Sequence, residues 1–464
     1  MKRLESIKRL TVLQLNLIGI ILQAAVYGFI WFSYYREMVY QSIWVRLWNK
    51  GNWLMIAIYA VLLMFFNITY GGMKIGYLKA MDVFLSQIFA LLFVNTISYL
   101  QISLQALKLL DPLPMLGATA VQIVIAGVWT FLSQNFYKQL FPPRNLLLIH
   151  GERPIDGILA KFATRKDKYH IAKCMNVSEG IETIEQEIMQ RYEGVVLWDI
   201  SSADRNALLK FCYRNAIRVY MMPKIPDVII QGSQQLHLFD TPILFTREYS
   251  ISIEQRMIKR MIDIVCALIL IIVTSPIMLI TAICITCYDK GPVLYKQVRC
   301  TQGMREFEIL KFRSMRTDAE KDGVARLASK NDDRITPIGK FIRKVRIDEL
   351  PQLFNILRGD MSFIGPRPER PEIIQQYLEE MPEFVFRTKV KAGLAGYAQV
   401  YGKYNTTPYD KLKLDLIYIE NYTVWLDIKL MLLTLKILFQ PDSTEGIEEN
   451  QITALKEIRE EEKE

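Results

Sequence analysis

From Ile264 to Ile285 the chain runs 22 residues without a charge, long enough for a helix to cross a bilayer, which takes about 20 apolar residues. Ser275-Pro276 stands in the middle of this run. A proline inside a helix removes one backbone hydrogen bond and crowds the preceding turn, while a serine hydroxyl can satisfy a freed backbone group. Arg247, Arg256, Lys259 and Arg260 precede the run, and Lys290, Lys296, Arg299 and Arg305 follow it. Basic flanks favour the cytoplasmic side, and here both flanks carry the signal. The expectation is a helix that enters one leaflet, bends at Ser275-Pro276 and re-emerges where it entered.

Four further apolar segments, roughly 11 to 33, 52 to 69, 83 to 104 and 114 to 136, fill the first third of the chain. Each is near the length of a spanning helix. The composition agrees: 51% hydrophobic and 23% charged with a net charge of +9 suits a membrane protein with large aqueous parts. Gln14, Asn16, Gln87, Asn95 and Gln122 interrupt the segments with neutral polar groups, which points to helices packed on one another as a bundle. No charge lines the bundle, which argues against a transporter. Lys2, Arg3, Lys8 and Arg9 before the first segment, and Lys138 and Arg144 after the fourth, place both bundle ends in the cytoplasm. No small-residue cleavage pattern follows the first segment, so it reads as an anchor.

After Pro142-Pro143 the pattern becomes α/β. NLLLIHG (145 to 151) and GVVLWDI (194 to 200) read as buried strands, and 181 to 192 and 203 to 217 as helices, implying a small parallel sheet with crossover helices. The first strand leads into GERPIDG rather than G-x-G-x-x-G, so the turn that cradles a dinucleotide is missing. A structural, regulatory or dimerising module is expected, with a degraded nucleotide site as the alternative. The six cysteines form no framework, and Cys284-x-x-Cys287 reads as packing at the end of the apolar run rather than as a metal pair.

Charge clusters mark where the chemistry of a chain lies, and here they fall between 289 and 440. RKVRIDELPQLFNILRGDMSFIGPRPE (343 to 369) sets Asp348-Glu349 before an amphipathic turn, with Asp348 near a helix N-terminus and Pro351 in the first turn. Gly365-Pro366-Arg367-Pro368-Glu369 is a stiff turn presenting an arginine. Lys311, Arg313, Arg334, Arg343 and Arg346 add cations among glycines and prolines, as a site for phosphates would. Membrane context and the lack of a nucleic-acid-binding motif argue against nucleic acid. YTVWLDIKLMLLTLKILFQ (422 to 440) is too short to cross and is expected to lie in the membrane interface. The tail, 441 to 464, carries nine acidic and three basic residues and reads as solvated.

KRMID, the apolar run with Pro276, GPVLYKQVR, FEILKFRSM, DDRITPIGKFIRK, DELPQLFNILRGDMSFIGPRPE and GYAQVYG, in this order, resemble the bacterial polyprenyl-phosphate sugar-phosphate transferases, the monotopic phosphoglycosyl transferases, over residues 256 to 440. The resemblance to the large form of that family implies a membrane α plus α/β fold. Its parts would be a four-helix transmembrane bundle (1–140), a cytosolic Rossmann-like α/β module (141–250), a re-entrant-helix monotopic catalytic domain with amphipathic interfacial helices (251–440) and the acidic tail. It implies transfer of a hexose 1-phosphate from a UDP-sugar to undecaprenyl phosphate, with release of UMP and help from Mg²⁺, at the bacterial plasma membrane. UDP-glucose and UDP-galactose come ahead of N-acetylated donors.

By the same resemblance Asp348 is the nucleophile, an ionised carboxylate that attacks phosphorus to give an acyl-phosphate. Glu349 holds Mg²⁺ or accepts a proton, and Lys311, Arg313, Arg343, Arg367 and Lys403 contact phosphate or nucleotide. The sequence departs from the family pattern at Thr301, Ala392, Ala395 and Lys403, where glycine, proline, threonine and arginine are usual, which bears on substrate geometry. A homodimer through the α/β module or the bundle is a further expectation. The competing class is a non-catalytic scaffold or regulator of polysaccharide assembly whose C-terminal region only binds lipid phosphate.

Overall fold

The computed structural model describes residues 2–42, 49–246, 251–316, 334–402 and 406–438. Arg247, Asp333, Lys403 and the tail 441–464 lie outside these residues. The chain divides into two compact units, Met1–Met222 and Pro223–Glu464.

In the first unit, α1 (Lys2–Ile30) continues through a π-helical turn at Trp31–Tyr35 into α2 (Arg36–Ser42), and α3 (Asn49–Tyr70), α4 (Ala80–Gln105) and α5 (Leu113–Leu140) follow. Each of the four apolar segments is helical and long enough to span a membrane. Buried carboxamides tie the helices together. Asn95 donates to Gln122 Oε1 and Thr119 Oγ1, both at 2.7 Å, and accepts from the Tyr59 hydroxyl at 2.7 Å. Gln122 in turn donates to Tyr59 at 2.8 Å and to the Gln23 carbonyl at 2.9 Å. Gln87 donates to the Gly72 carbonyl and Asn16 to that of Met73. Gln14 differs from expectation, because its position on α1 faces outward.

β1 (Arg144–His150), α6 (Asp156–Ala163), β2 (Tyr169–Asn176), α7 (Ile181–Arg191), β3 (Gly194–Trp198), α8 (Ser202–Arg214) and β4 (Arg218–Met221) build the α/β module. Its sheet is parallel throughout, in the order β2-β1-β3-β4. Leu146 to Ile149 and Val195 to Leu197 are buried, as continuous apolar strands covered on both faces should be.

The second unit opens with α9 (Ile225–Gln231) and the hairpin β5 (Gln234–Leu238) and β6 (Thr241–Phe245). The sequence suggested these residues belong with the α/β module. Ile225 and Val228 pack instead into the core built by the C-terminal region.

α10 (Ile253–Asp289) follows, 37 residues or about 55 Å of helix. It is one helix with Pro276 inside. The carbonyl that a proline at 276 leaves without its amide is that of Ile272, and Ser275 Oγ donates to it at 2.9 Å. Between these ends Ile269, Ile272, Val273, Leu279, Ile280 and Ile283 are exposed, as are Cys284 and Cys287, which do not enter a protein core. Residues on both sides of Pro276 pack against one body. Ala267 and Ile271 join the main core, while Met278, Ala282 and Ile285 pack with Phe312, Ile338 and Ile342, and Leu350 touches both groups.

The remaining elements are β7 (Leu294–Cys300), β8 (Glu306–Phe312), α11 (Pro337–Lys344), α12 (Gln352–Arg358), β9 (Ser362–Ile364), α13 (Pro371–Glu380), β10 (Gly393–Ala395), α14 (Tyr397–Tyr401), α15 (Pro408–Glu420) and α16 (Val424–Ile437). β7 and β8 form an antiparallel hairpin, and β9 and β10 a short parallel pair. α16 has 14 residues, too few to cross a bilayer. Its Asp427 and Lys436 are buried within the unit.

Candidate active site

Three segments meet at the carboxylate pair: the end of β8, the residues between α11 and α12, and the turn after β9. Asp348 and Glu349 lie in a 3₁₀ turn, Ile347–Glu349, with Pro351 capping α12. Asp348 therefore stands one turn ahead of the helix rather than at its cap. Arg346, just before, takes φ +56°, a left-handed conformation that costs a non-glycine residue roughly 1–2 kcal/mol. Such strain is typical of functional positions, and it turns the chain sharply out of α11.

Cations ring the pair. Arg367 Nη2 donates to Glu349 Oε1 at 3.2 Å, Lys311 Nζ lies 3.5 Å from the same oxygen, and Arg346 Nη1 is 4.0 Å from Oε2. Burial alone would push Glu349 up, and the combined pull of Arg367, Lys311 and Arg346 outweighs it, holding this carboxyl well below the usual range. Asp348 behaves oppositely. Burial and the charge of Glu349 push it up to about 6, against the opposing pull of Lys311, Arg343 and Arg367. The two neighbours thus divide into a permanently charged anchor for cations and a carboxylate whose charge is less well compensated.

The structure brings together Asp348, Glu349, Lys311, Arg343 and Arg367. Arg313 takes a different place: it is buried, with its guanidinium against Gly291, where any side chain at 291 would overlap it. Its backbone N–H donates to the Val293 carbonyl at the exit from α10.

Four positions that sequence reasoning left out of the site hold this arrangement. Asn355 of α12 is fully buried, donates to the Glu308 carbonyl at 2.7 Å and accepts from the Leu310 N–H at 2.9 Å. That pair of bonds fixes β8, and so Lys311, against the element that follows Asp348-Glu349. Arg387 donates to the Arg367 carbonyl at 3.0 Å and to Asp415 at 2.8 Å, with Arg387 and Asp415 both buried. Thr301, one of the departures from the family pattern, donates to the Asp360 carbonyl at 2.8 Å and accepts from the Ala392 N–H at 3.2 Å. It closes a hairpin whose turn residue Gly303 has φ +64°.

The Arg367 turn is also locked by backbone. A Cβ at Gly365 or Gly393 would collide with the main chain of the other strand, so glycines allow β9 and β10 to touch. From behind, the start of α10 reaches in. Lys259 donates to the Ile364 carbonyl at 2.9 Å and to Asp427 of α16, Arg260 binds the carbonyls of Ile356 and Leu357 that end α12, and Asp263 accepts from Ser362 Oγ and Phe363 N–H, each at 3.0 Å. The KRMID stretch thus fastens the apolar helix to both halves of the site.

The chemistry this allows is recognition of a polyanion by converging cations beside a carboxylate able to act as nucleophile or base. Among the described residues no group of three or more His, Cys, Asp or Glu side chains is placed to hold a metal by itself. Two carboxylates side by side do suit Mg²⁺, which ordinarily takes one or two carboxylates and completes its shell from phosphates and water.

A match to the bacterial sugar transferase family covers residues 254–441 and so contains every element of this site. The UDP-N-acetylgalactosamine-undecaprenyl-phosphate N-acetylgalactosaminephosphotransferase of Aeromonas hydrophila is 45% identical over 182 residues, 39% of this chain and 43% of that protein. A putative undecaprenyl-phosphate N-acetylgalactosaminyl 1-phosphate transferase of Bacillus subtilis is 50% identical over 130 residues, 28% of this chain and 72% of the relative. A UDP-glucose:undecaprenyl-phosphate glucose-1-phosphate transferase of Caulobacter vibrioides is 37% identical over 190 residues, 40% of this chain and 71% of the relative. The match spans less than half of the Aeromonas protein's length. The matched residues are those that assemble the carboxylate pair, its cations and the helix anchoring them, and they cover most of two relatives; the chain belongs to the bacterial sugar transferase family.

Proposed function

We propose that this protein transfers a sugar 1-phosphate from a UDP-sugar to undecaprenyl phosphate, releasing UMP and beginning a polysaccharide repeat unit at the cytoplasmic face of the bacterial plasma membrane. The observation that carries the reading is Asp348 beside Glu349 where Lys311, Arg343, Arg346 and Arg367 converge.

Asp348 is the nucleophile. With its proton lost above about pH 6, its carboxylate oxygen bonds to the sugar-bearing phosphorus. The bond from that phosphorus to the bridging oxygen breaks, and UMP leaves with the oxygen and its electron pair. A phosphate oxygen of undecaprenyl phosphate then attacks the same phosphorus, and Asp348 departs as a free carboxylate. Arg367 and Lys311, set in place by Glu349, offer their N–H groups to the phosphate oxygens as charge moves toward the leaving group. Glu349 is the residue that would hold Mg²⁺, and the ion would add charge neutralisation at the diphosphate.

Support for the membrane placement comes from α10. Its apolar middle exposes Ile269, Ile272, Val273, Leu279, Ile280 and Ile283, while residues before and after Pro276 pack against one body through clusters that share Leu350. Packing of residues before and after Ser275-Pro276 against one body supports entry and return on one side. α10 would then hold Asp348 at the surface where a lipid phosphate and a soluble nucleotide meet.

Glucose or galactose is the first reading of the sugar. A second, N-acetylgalactosamine, has the names of the 45% and 50% identical relatives in its favour. Incubating membranes that contain the protein with undecaprenyl phosphate and a panel of UDP-sugars decides between them. UMP release with one donor is expected; release with none of them contradicts the proposed reaction.

A further inference from the structure

We propose that Arg299 is a positioning residue for Arg367, the last rung of a hydrogen-bonded ladder on β7 that fixes the turn carrying that cation, a role that rests on the sugar-phosphate transfer proposed above. Side chains alternate along a strand, so Tyr295, Gln297 and Arg299 share one face of β7, and all three are half-buried while Lys296 and Val298 are exposed. Gln297 Nε2 donates to the Tyr295 hydroxyl at 3.1 Å. Arg299 donates to Gln297 Oε1 from Nε at 3.0 Å and from Nη2 at 2.6 Å. The other arm of the guanidinium, Nη1, reaches the Arg367 turn, donating to the Pro368 carbonyl at 3.2 Å and lying 3.7 Å from Glu369 Oε2.

That contact completes a pattern. Consecutive carbonyls of the turn are each held by a different donor: Pro366 by the Gly393 N–H at 2.9 Å, Arg367 by Arg387 Nη2 at 3.0 Å, Pro368 by Arg299 and Glu369 by the Cys300 N–H at 3.0 Å. Two of these donors are neighbours at the end of β7. The Glu369 carboxylate ties the two arginines together, its Oε1 3.7 Å from Arg387 Nη1 as its Oε2 is from Arg299. Prolines on either side of Arg367 fix their own φ, so the main chain there has little freedom left and the cation is aimed at Glu349 by its support.

Arg299 acts through Arg367 rather than on the substrate. Each of its three guanidinium nitrogens already donates within the protein, and its side chain is 18% exposed against 44% for Arg367. Burial works against the Arg299 cation, Glu369 is the largest counterweight, and the charges of Arg367 and Arg370 add to the burden. Glu369 therefore lets a second cation stand behind the first. A donor held in place before charge moves onto the leaving phosphate needs no rearrangement when it does, and a displacement of about 1 Å can cost on the order of a hundredfold in rate.

The test pairs kinetics with amide hydrogen exchange on the full chain in membranes, using undecaprenyl phosphate and the UDP-sugar that releases UMP. Arg299→Met should lower kcat by about fiftyfold and change KM for the UDP-sugar by less than about threefold, since it disturbs an interaction made in the transition state. In the same variant the Cys300 and Gly393 amides, which donate to the turn, should exchange about tenfold faster, while the Leu310 amide held by Asn355 keeps its rate. Gln297→Leu, which removes the acceptor that orients Arg299, should reproduce both effects at roughly a fifth of the size. Arg299→Lys keeps the charge beside Glu369 but not the fork, and should remain about tenfold slow. Lys296→Met, on the opposite face of β7, should behave as the unmodified chain does. Unchanged kcat or unchanged exchange at Cys300 and Gly393 in Arg299→Met would overturn the positioning role and leave the proposed transfer standing, as would full activity in Arg299→Lys. Faster exchange at Leu310 as well would overturn it too, because it marks general loosening. If the unmodified chain releases no UMP, the transfer itself fails, and exchange at Cys300 and Gly393 still decides whether Arg299 holds the turn.

Discussion

Asp348 keeps its proton to higher pH than a solvated aspartate because burial and the neighbouring Glu349 charge both disfavour its ionised form. Since the charged form is the proposed nucleophile, sugar-phosphate transfer should fall as pH drops through about 6. Lys311→Met removes a cation that favours ionisation, so the fall should begin at higher pH; a single-turnover pH profile measures both. A second prediction concerns Asn355. Asn355→Leu leaves the Leu310 N–H and the Glu308 carbonyl buried without partners, and should cost about 1–3 kcal/mol in thermal or denaturant unfolding. Arg387→Leu strands buried Asp415, a loss of about 3–5 kcal/mol by the same measurement, whereas the paired change Arg387→Leu/Asp415→Leu should recover part of it. The carboxylate pair and the Arg367 turn were legible because charge, glycine and proline stand together in sequence. Asn355, Arg387, Thr301 and Asp415 were not, because each is a single polar residue whose partners lie far along the chain. Asn355 alone left a trace, as a poor helix former inside Leu353-Phe354-Asn355-Ile356-Leu357.

Among the elements, the long helices announced themselves by length and apolarity, and all five apolar runs are helical. Shorter pieces were harder to read. β2 lies at the sheet edge with Met175 as its one buried residue, so its alternation is weak, and α9 spans only seven residues. In α16, expected to lie in the membrane interface, Asp427 is where Lys259 is anchored, at an ion-pair distance of 2.6 Å. The return of α10 is testable directly. With Cys284 and Cys287 replaced by serine, Lys290→Cys and Arg256→Cys should both react with an impermeant thiol reagent only when it is applied from the cytoplasmic side. Reaction of Lys290→Cys from outside the cell contradicts a re-entrant helix. Pro276→Leu restores the amide missing at Ile272 and should shift a fraction of Lys290→Cys to the outer side.

For the molecule as a whole, one arrangement joins membrane and chemistry: Lys259, Arg260 and Asp263 at the start of α10 hold the Arg367 turn and the end of α12, and its far end packs beside α11. The ordered motifs made this C-terminal organisation legible, since they all fall within the matched region, residues 254–441. The role of the α/β module was less so, because a parallel sheet without a phosphate-binding turn has no chemistry written in its strands. What separates an enzyme from a scaffold that only binds lipid phosphate is a bond to Asp348. Brief incubation of the purified protein with a UDP-sugar carrying ³²P at the sugar-bearing phosphate, in the absence of undecaprenyl phosphate, should label the chain, and adding the lipid should discharge the label into it. Asp348→Asn should lower both protein labelling and lipid product by about a thousandfold or more. Undiminished lipid product from Asp348→Asn would contradict the account.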